Sequence, residues 1–171
     1  MKRALFHRSG FTLVEILIVV VILSVLAAIA IPQFHSSTED AKLAALDANL
    51  AELRNALELY YHQHNAFYPG ARKHTDGTAV STAAEAATAF VNQLTLYTDA
   101  SGVTSNTKTA TYKYGPYMKK VPKNPYNDLN SVVADITQTD ITVAAASGSG
   151  GWKFYVGTGR LIANDGAHDS N

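Results

Sequence analysis

The chain has 171 residues, no cysteine, and 14 basic against 14 acidic side chains for a formal net charge of zero. That length holds one modest globular domain beside a long helix. The missing cysteines exclude a disulfide framework, and the charge balance offers no electrostatic trap for nucleic acid.

Residues 1–10 carry Lys2, Arg3 and Arg8 and no acid. Such a leader predicts a cytoplasmic amino end, a single pass and a domain beyond the membrane. Phe11 to Ile31 follows as an apolar run broken by one carboxylate, Glu15. As a helix this run spans roughly 31 Å, close to the hydrocarbon thickness of a bilayer. A cleaved secretory signal would lose it, and Ala28-Ile-Ala30 offers a small-x-small site for such a cut. An acid inside a membrane helix is costly and usually faces a protein partner, the alternative being a side chain that snorkels to the interface.

The junction Gly10-Phe11-Thr12-Leu13-Val14-Glu15 resembles the prepilin class of leader found in the type IV filament superfamily, which includes type IV pilins and type II secretion pseudopilins. The resemblance implies cleavage by a prepilin peptidase after Gly10, retention of the apolar helix and N-methylation of Phe11. Cleavage creates an α-amine with an unperturbed pKa of about 7.7–8. If subunits stack with an axial offset, the amine of one chain meets Glu15 of another and sets the register. Removing Lys2, Arg3 and Arg8 leaves 11 basic against 14 acidic residues, a charge of −3.

Pro32 removes a backbone donor and is expected to kink the helix without ending it, because apolar periodicity resumes beyond it. Leu43, Leu46, Leu50, Leu53, Leu57 and Tyr60 recur at spacings of 3, 4, 3, 4 and 3. That is one apolar stripe on a helical segment over 32–64. The stripe spans under three heptads, so it is assigned to the chain's own core in preference to a coiled-coil seam. Asn65, Pro69 and Gly70 end the helix, for an expected length of roughly 80 Å from Phe11.

In the remaining 65–171, the capping-box pattern Thr82-Ala-Ala-Glu85 opens a second helix expected over Ala83–Tyr97. Thr98–Thr111 is rich in Thr, Ser and Gly and reads as a surface loop, while Tyr114–Tyr126, with three prolines, reads as extended and irregular. Strands are expected at Val132–Thr137, Ile141–Ala145, Trp152–Val156 and Arg160–Ala163, the last two forming a hairpin through Gly157-Thr158-Gly159. Consecutive short strands with tight turns predict an antiparallel sheet, and the fold class is α+β.

Further landmarks narrow the resemblance. Leu53-Arg-Asn-Ala-Leu-Glu-Leu-Tyr60, Tyr68-Pro69, Gly115-Pro-Tyr-Met-Lys-Lys-Val-Pro-Lys-Asn-Pro125 and Gly151-Trp-Lys-Phe-Tyr-Val-Gly-Thr-Gly-Arg160 are similar, in order, to the major pseudopilin of type II secretion. That family implies a pilin-like fold, a long amino-terminal helix laid on a small antiparallel sheet. It also implies an inner-membrane protein whose domain faces the periplasm and which polymerises with itself and other pseudopilins at an inner-membrane assembly platform. Calcium binding near the carboxyl end is common in the family. Asp165 and Asp169 with Asn164, and Asp128 with Asn127 and Asn130, supply oxygen ligands, though neither group fits the twelve-residue calcium loop. A solvated tail and an Asx turn are the plainer reading.

Other chemistry has less support. His62 and His64 point to different helix faces and read as surface histidines. No nucleophile elbow or catalytic triad pattern is present, so no enzymatic role is expected. Lys119, Lys120 and Lys123 sit among prolines and read as a solvated loop, with no nucleic-acid partner expected. Trp152 and Tyr155 are assigned to the sheet. The expected function is a structural subunit of a type II secretion pseudopilus. The alternatives are a type IV pilus subunit used in adhesion, twitching or DNA uptake and, in another class, a membrane-anchored binding or enzymatic domain.

Overall fold

In the computed structural model, residues 10–140 and 148–168 are described. Helix α1 covers Leu13–Gln63, within a residue or two of its expected ends, and runs through position 32 without a break. The expected strand Ile141–Ala145 and the leader up to Ser9 lie outside the described residues. The chain divides into two compact units, Met1–Ala41 and Lys42–Asn171.

In the first unit every large apolar side chain from Leu13 to Ile31 is exposed, from 48 % at Val19 to 83 % at Leu13. A helix that is apolar all round finds no solvent-facing side in water.

The second unit is built on the apolar stripe. Leu46, Leu50, Leu53, Leu57 and Tyr60 are all at most 2 % exposed, while Leu43 remains 41 % exposed. The stripe therefore joins the core one turn later than its spacing suggests. The helix ends on two successive residues with positive φ, Asn65 at 54° and Ala66 at 61°. The Ala66 N–H reaches back to the Tyr61 carbonyl at 3.1 Å. This left-handed exit satisfies an end carbonyl of the helix.

Helix α2 covers Ala83–Thr95. The Thr82 hydroxyl accepts the Glu85 N–H at 3.2 Å, as a cap should, but the Glu85 carboxylate takes the Ser81 N–H and hydroxyl, both at 2.9 Å. These bonds hold the Glu85 carboxyl down to about 2. Ala86, Phe90 and Leu94 bury the inner face of α2 against the core.

The region read as a plain surface loop carries a small pair, β1 (Tyr97–Thr98) antiparallel to β2 (Thr104–Ser105). Asp99 folds the turn between them, its Oδ1 accepting from Ser101 N, Ser101 Oγ and Val103 N at 2.7–3.0 Å.

The main sheet has the order β3 (Val132–Asp135), β4 (Trp152–Tyr155), β5 (Arg160–Ala163). β4 and β5 form the expected antiparallel hairpin, with Trp152 opposite Ala163. A Cβ at Gly159, where φ is +72°, would collide with the Tyr68 ring. The turn thus needs glycine for both its backbone and its packing.

β3 pairs with β4 in parallel, Val132 opposite Trp152, so the sheet is mixed where a wholly antiparallel one was expected. Tight turns cannot make a parallel pair, and the chain between Asp135 and Trp152 is longer than any tight turn. The fold is α+β and pilin-like, with the carboxyl half of α1, α2, Met118, Val121 and the three-stranded sheet sharing one core.

Candidate functional site

The first candidate site is the start of α1. Gly10 and Phe11 precede the helix, and Phe11 is 81 % exposed. A Cβ built on Gly10 meets nothing within 4 Å among the described residues, so none of these requires glycine there. Any demand for a small residue belongs to whatever engages this peptide bond.

Glu15 lies in the first turn of α1, and the local sequence Thr12-Leu-Val-Glu15 closes a reciprocal cap. The Thr12 N–H and hydroxyl both donate to Glu15 Oε2 at 2.8 Å, and the Glu15 N–H donates to Thr12 Oγ1 at 3.2 Å. Two orphan donors of the helix end are satisfied at once, and the carboxylate sits at the positive end of the helix dipole. The T-x-x-E spacing carries this signal openly. Reading Glu15 only as an assembly partner misses its role in capping its own helix.

Beyond the cap, the apolar stretch of α1 is not buried among the described residues. In length and composition this stretch is able to cross a membrane. Ser24 does not oppose this, because its hydroxyl bonds the Val21 carbonyl at 2.7 Å.

The second candidate site is the carboxyl end. Asp165 is no frayed tail: its side chain is only 6 % exposed. Its Oδ1 accepts from Ala167 N at 2.9 Å, His168 N at 3.0 Å and His168 Nδ1 at 3.1 Å, and its Oδ2 accepts from Asn124 Nδ2 at 3.0 Å. Burial pushes the Asp165 carboxyl up, but these hydrogen bonds outweigh it and hold the group below its ordinary value.

The ring of His168 stacks on Tyr126, centroids 3.8 Å apart. Asn124 and Asn164, both fully buried, meet at Gly151: Asn124 Nδ2 and the Asn164 N–H donate to its carbonyl at 3.0 and 3.1 Å. A Cβ at Gly151 would run into the Leu129 carbonyl, so this approach is open to glycine alone.

Asp128, the other described acidic candidate, pairs both oxygens with Lys123 Nζ at 2.9 and 2.8 Å. The structure does not join it to Asp165 in a ligand cluster: among the described residues, no group of three or more His, Asp or Glu gathers as a metal site. Asp169 lies outside the described residues.

Of the two histidines assigned to the surface, His62 is exposed but His64 is not. His64 is 1 % exposed and stacks on Tyr60 with centroids 3.7 Å apart. Its Nδ1 contacts the Tyr60 carbonyl and its Nε2 the Thr98 hydroxyl, both at 2.9 Å. A carbonyl only accepts, so the hydrogen sits on Nδ1 and Nε2 accepts from Thr98. The ring lies past the last turn of α1, where the chain folds back beneath β1, and helical spacing does not reveal that placement. Trp152 is core as expected, its Nε1 donating to the Pro122 carbonyl at 2.8 Å.

Comparison with known proteins agrees with this geometry. Residues 5–31 match the family described as prokaryotic N-terminal methylation motif. The chain is 30% identical over 159 residues to type II secretion system core protein G of Vibrio cholerae, covering 92% of this chain and 91% of that protein. It is 28% identical over 122 residues to the protein of the same name from Aeromonas hydrophila, covering 71% and 70%. It is also 48% identical over 48 residues to the type IV narrow pilus major component PilA5 of Thermus thermophilus, covering 28% and 41%. No solved structure matches the chain. With its motif at Gly10-Phe11, its self-capped apolar helix and a relationship that runs almost end to end, the chain belongs to the family of type II secretion system core protein G, the major pseudopilins.

Proposed function

We propose that the chain is a structural, non-catalytic subunit of a type II secretion pseudopilus. In this reading a prepilin peptidase cuts between Gly10 and Phe11 and the new amine of Phe11 is methylated. The helix from Leu13 to Ile31 anchors the subunit in the inner membrane with its domain in the periplasm. Subunits then leave the bilayer at an assembly platform and pack helix on helix, with themselves and with other pseudopilins.

The observation that carries this reading is the first unit itself. Its large apolar side chains from Leu13 to Ile31 are exposed on every side among the described residues, so lipid before assembly and neighbouring helices after it are the surroundings they suit. Glu15 is the charged exception, and the Phe11 amine of another subunit is its proposed partner.

A type IV pilus subunit is the second reading, favoured by the similarity to the Thermus thermophilus pilus component. A surface fibre lost on deletion, with secretion intact, would select it.

The test uses intact mass and assembly together. Wild-type protein extracted from membranes should have the mass of residues 11–171 plus one methyl group, and Gly10→Val should retain the leader. Glu15→Leu should insert and be cleaved, yet lose sheared-filament yield and cargo export at matched levels of processed subunit. Wild-type filaments from Glu15→Leu would sink the charge-register mechanism, and a chain that begins at Met1 or Ile31 would sink the processing scheme.

A further inference from the structure

Calcium, which the family resemblance brings to the carboxyl end, does not suit the atoms that surround Asp165. A calcium ion takes six to eight oxygen ligands. Asp165 instead faces hydrogens: the N–H groups of Ala167 and His168, the ring N–H of His168 and the amide of Asn124. Each carries partial positive charge toward the carboxylate, the opposite of what a cation needs.

The neighbouring oxygens are turned away in the same manner. Asn124 Oδ1 accepts the Tyr126 N–H at 2.9 Å, Asn127 Oδ1 accepts the Leu129 N–H at 3.1 Å and Asn164 Oδ1 accepts the Gly148 N–H at 3.2 Å. Asp128 is committed to Lys123.

The orientation of the Asn124 amide is fixed by its surroundings. Flipped, it would set its oxygen against the Gly151 carbonyl and the Asp165 carboxylate while aiming its NH2 at the Tyr126 N–H. Asn124 and Asn164 are both fully buried, so each misplaced hydrogen bond would leave an unsatisfied group without access to water.

These bonds also do mechanical work. Asn124 and Asn127 fasten segment 124–129 to Gly150 and Gly151, and Asp165 fastens the tail to Asn124. Three stretches far apart in sequence are therefore drawn together at one point, and Tyr126 lies flat against His168 over the top.

We propose that the carboxyl end of this chain is held shut by a metal-independent hydrogen-bond clasp, with Asp165 as its acceptor and Asn124, Ala167 and His168 as its donors. The clasp occupies the structural role that a calcium ion would otherwise serve, and a subunit so built is indifferent to the calcium level around it.

The experiment uses the processed full-length protein in detergent micelles, before assembly, so that its failure leaves the filament reading untouched. Thermal unfolding is followed in millimolar calcium and in EGTA, with a calcium titration by calorimetry alongside. The expected result is one unfolding midpoint in both buffers and no saturable heat. Asp165→Asn should lower the midpoint equally in both, because the new NH2 must face either the Ala167 and His168 N–H groups or the Asn124 NH2. A wild-type midpoint that rises with calcium, a saturable calcium heat, or an Asp165→Asn midpoint equal to wild type overturns the proposal. Should the variant not fold, amide hydrogen exchange of Ala167 and His168 in the wild type decides: protection in EGTA supports the clasp, and protection only in calcium overturns it.

Discussion

The two units of this chain use apolar residues in opposite ways. From Leu13 to Ile31 they lie exposed around the whole helix, whereas from Leu46 to Tyr60 a narrow stripe of four leucines and a tyrosine is driven below 3 % exposure. Both stretches are helical, but the first is an unbroken run led by Ile and Val, whereas the second sets Leu at a period among polar residues. An all-round apolar surface can be satisfied only by molecules outside the subunit. A stripe flanked by Asp47, Glu52 and Glu58 can be satisfied by the subunit's own sheet and second helix. Mutations in the first unit should therefore register in insertion and assembly, and mutations in the second in stability.

The largest test of that division is a matched pair of truncations. Leu50→Ala should destabilise the protein by about 2–5 kcal/mol, as large-to-small core changes do. Val20→Ala, at a position 50 % exposed, should leave unfolding of the domain unchanged. Chemical denaturation of the full chain in micelles, read by Trp152 fluorescence, compares them. Equal effects would erase the contrast between the units.

A smaller effect is expected from pH. Burial lowers the pKa of His64 below its ordinary value, so the unfolded chain binds its proton more readily than the folded one. Stability from this source is fully present above the unfolded value of about 6.5 and is lost as pH falls from there through the folded value. Denaturation midpoints measured downward from pH 7 should decline more steeply in wild type than in His64→Gln. Parallel declines would show that the His64 site does not report on folding of the second unit.

The smallest concerns Ala66, held at a φ of 61° with a side chain that disfavours it. Ala66→Gly should stabilise the domain by about 1 kcal/mol or less. It should not touch filament yield, which sharpens the boundary between the units from the other side.

Much of the fold is legible in the sequence because it rests on short-range signals. The 3–4 spacing marks α1, Thr82 and Glu85 mark the start of α2, and Gly157-Thr158-Gly159 marks the hairpin. What escapes depends on partners far along the chain. The parallel docking of β3 on β4 pairs residues about twenty apart in the sequence, Val132 with Trp152. The burial of His64 is decided by Thr98, and that of Asn124 by Gly151 and Asp165. An asparagine in a proline-rich stretch looks like a turn former until the carbonyl it serves is known. In the first candidate site the motif at Gly10 and Phe11 and the acid at Glu15 are plain in the letters. The bond between Thr12 and Glu15 is equally plain in spacing but competes with a second use for the same carboxylate.

That bond has a kinetic consequence. Both Thr12 donors converge on Oε2, so under the proposed processing scheme a newly cut subunit would carry its own internal counterpart for Glu15 while it waits in the bilayer. In the proposed pairing, an arriving amine would have to share the carboxylate with Thr12 or displace it. Capture in that scheme would exchange one set of hydrogen bonds for another, which would let a mis-seated subunit fall back to its resting arrangement instead of becoming trapped. Weakening the hold of Thr12 would favour faster and less discriminating capture.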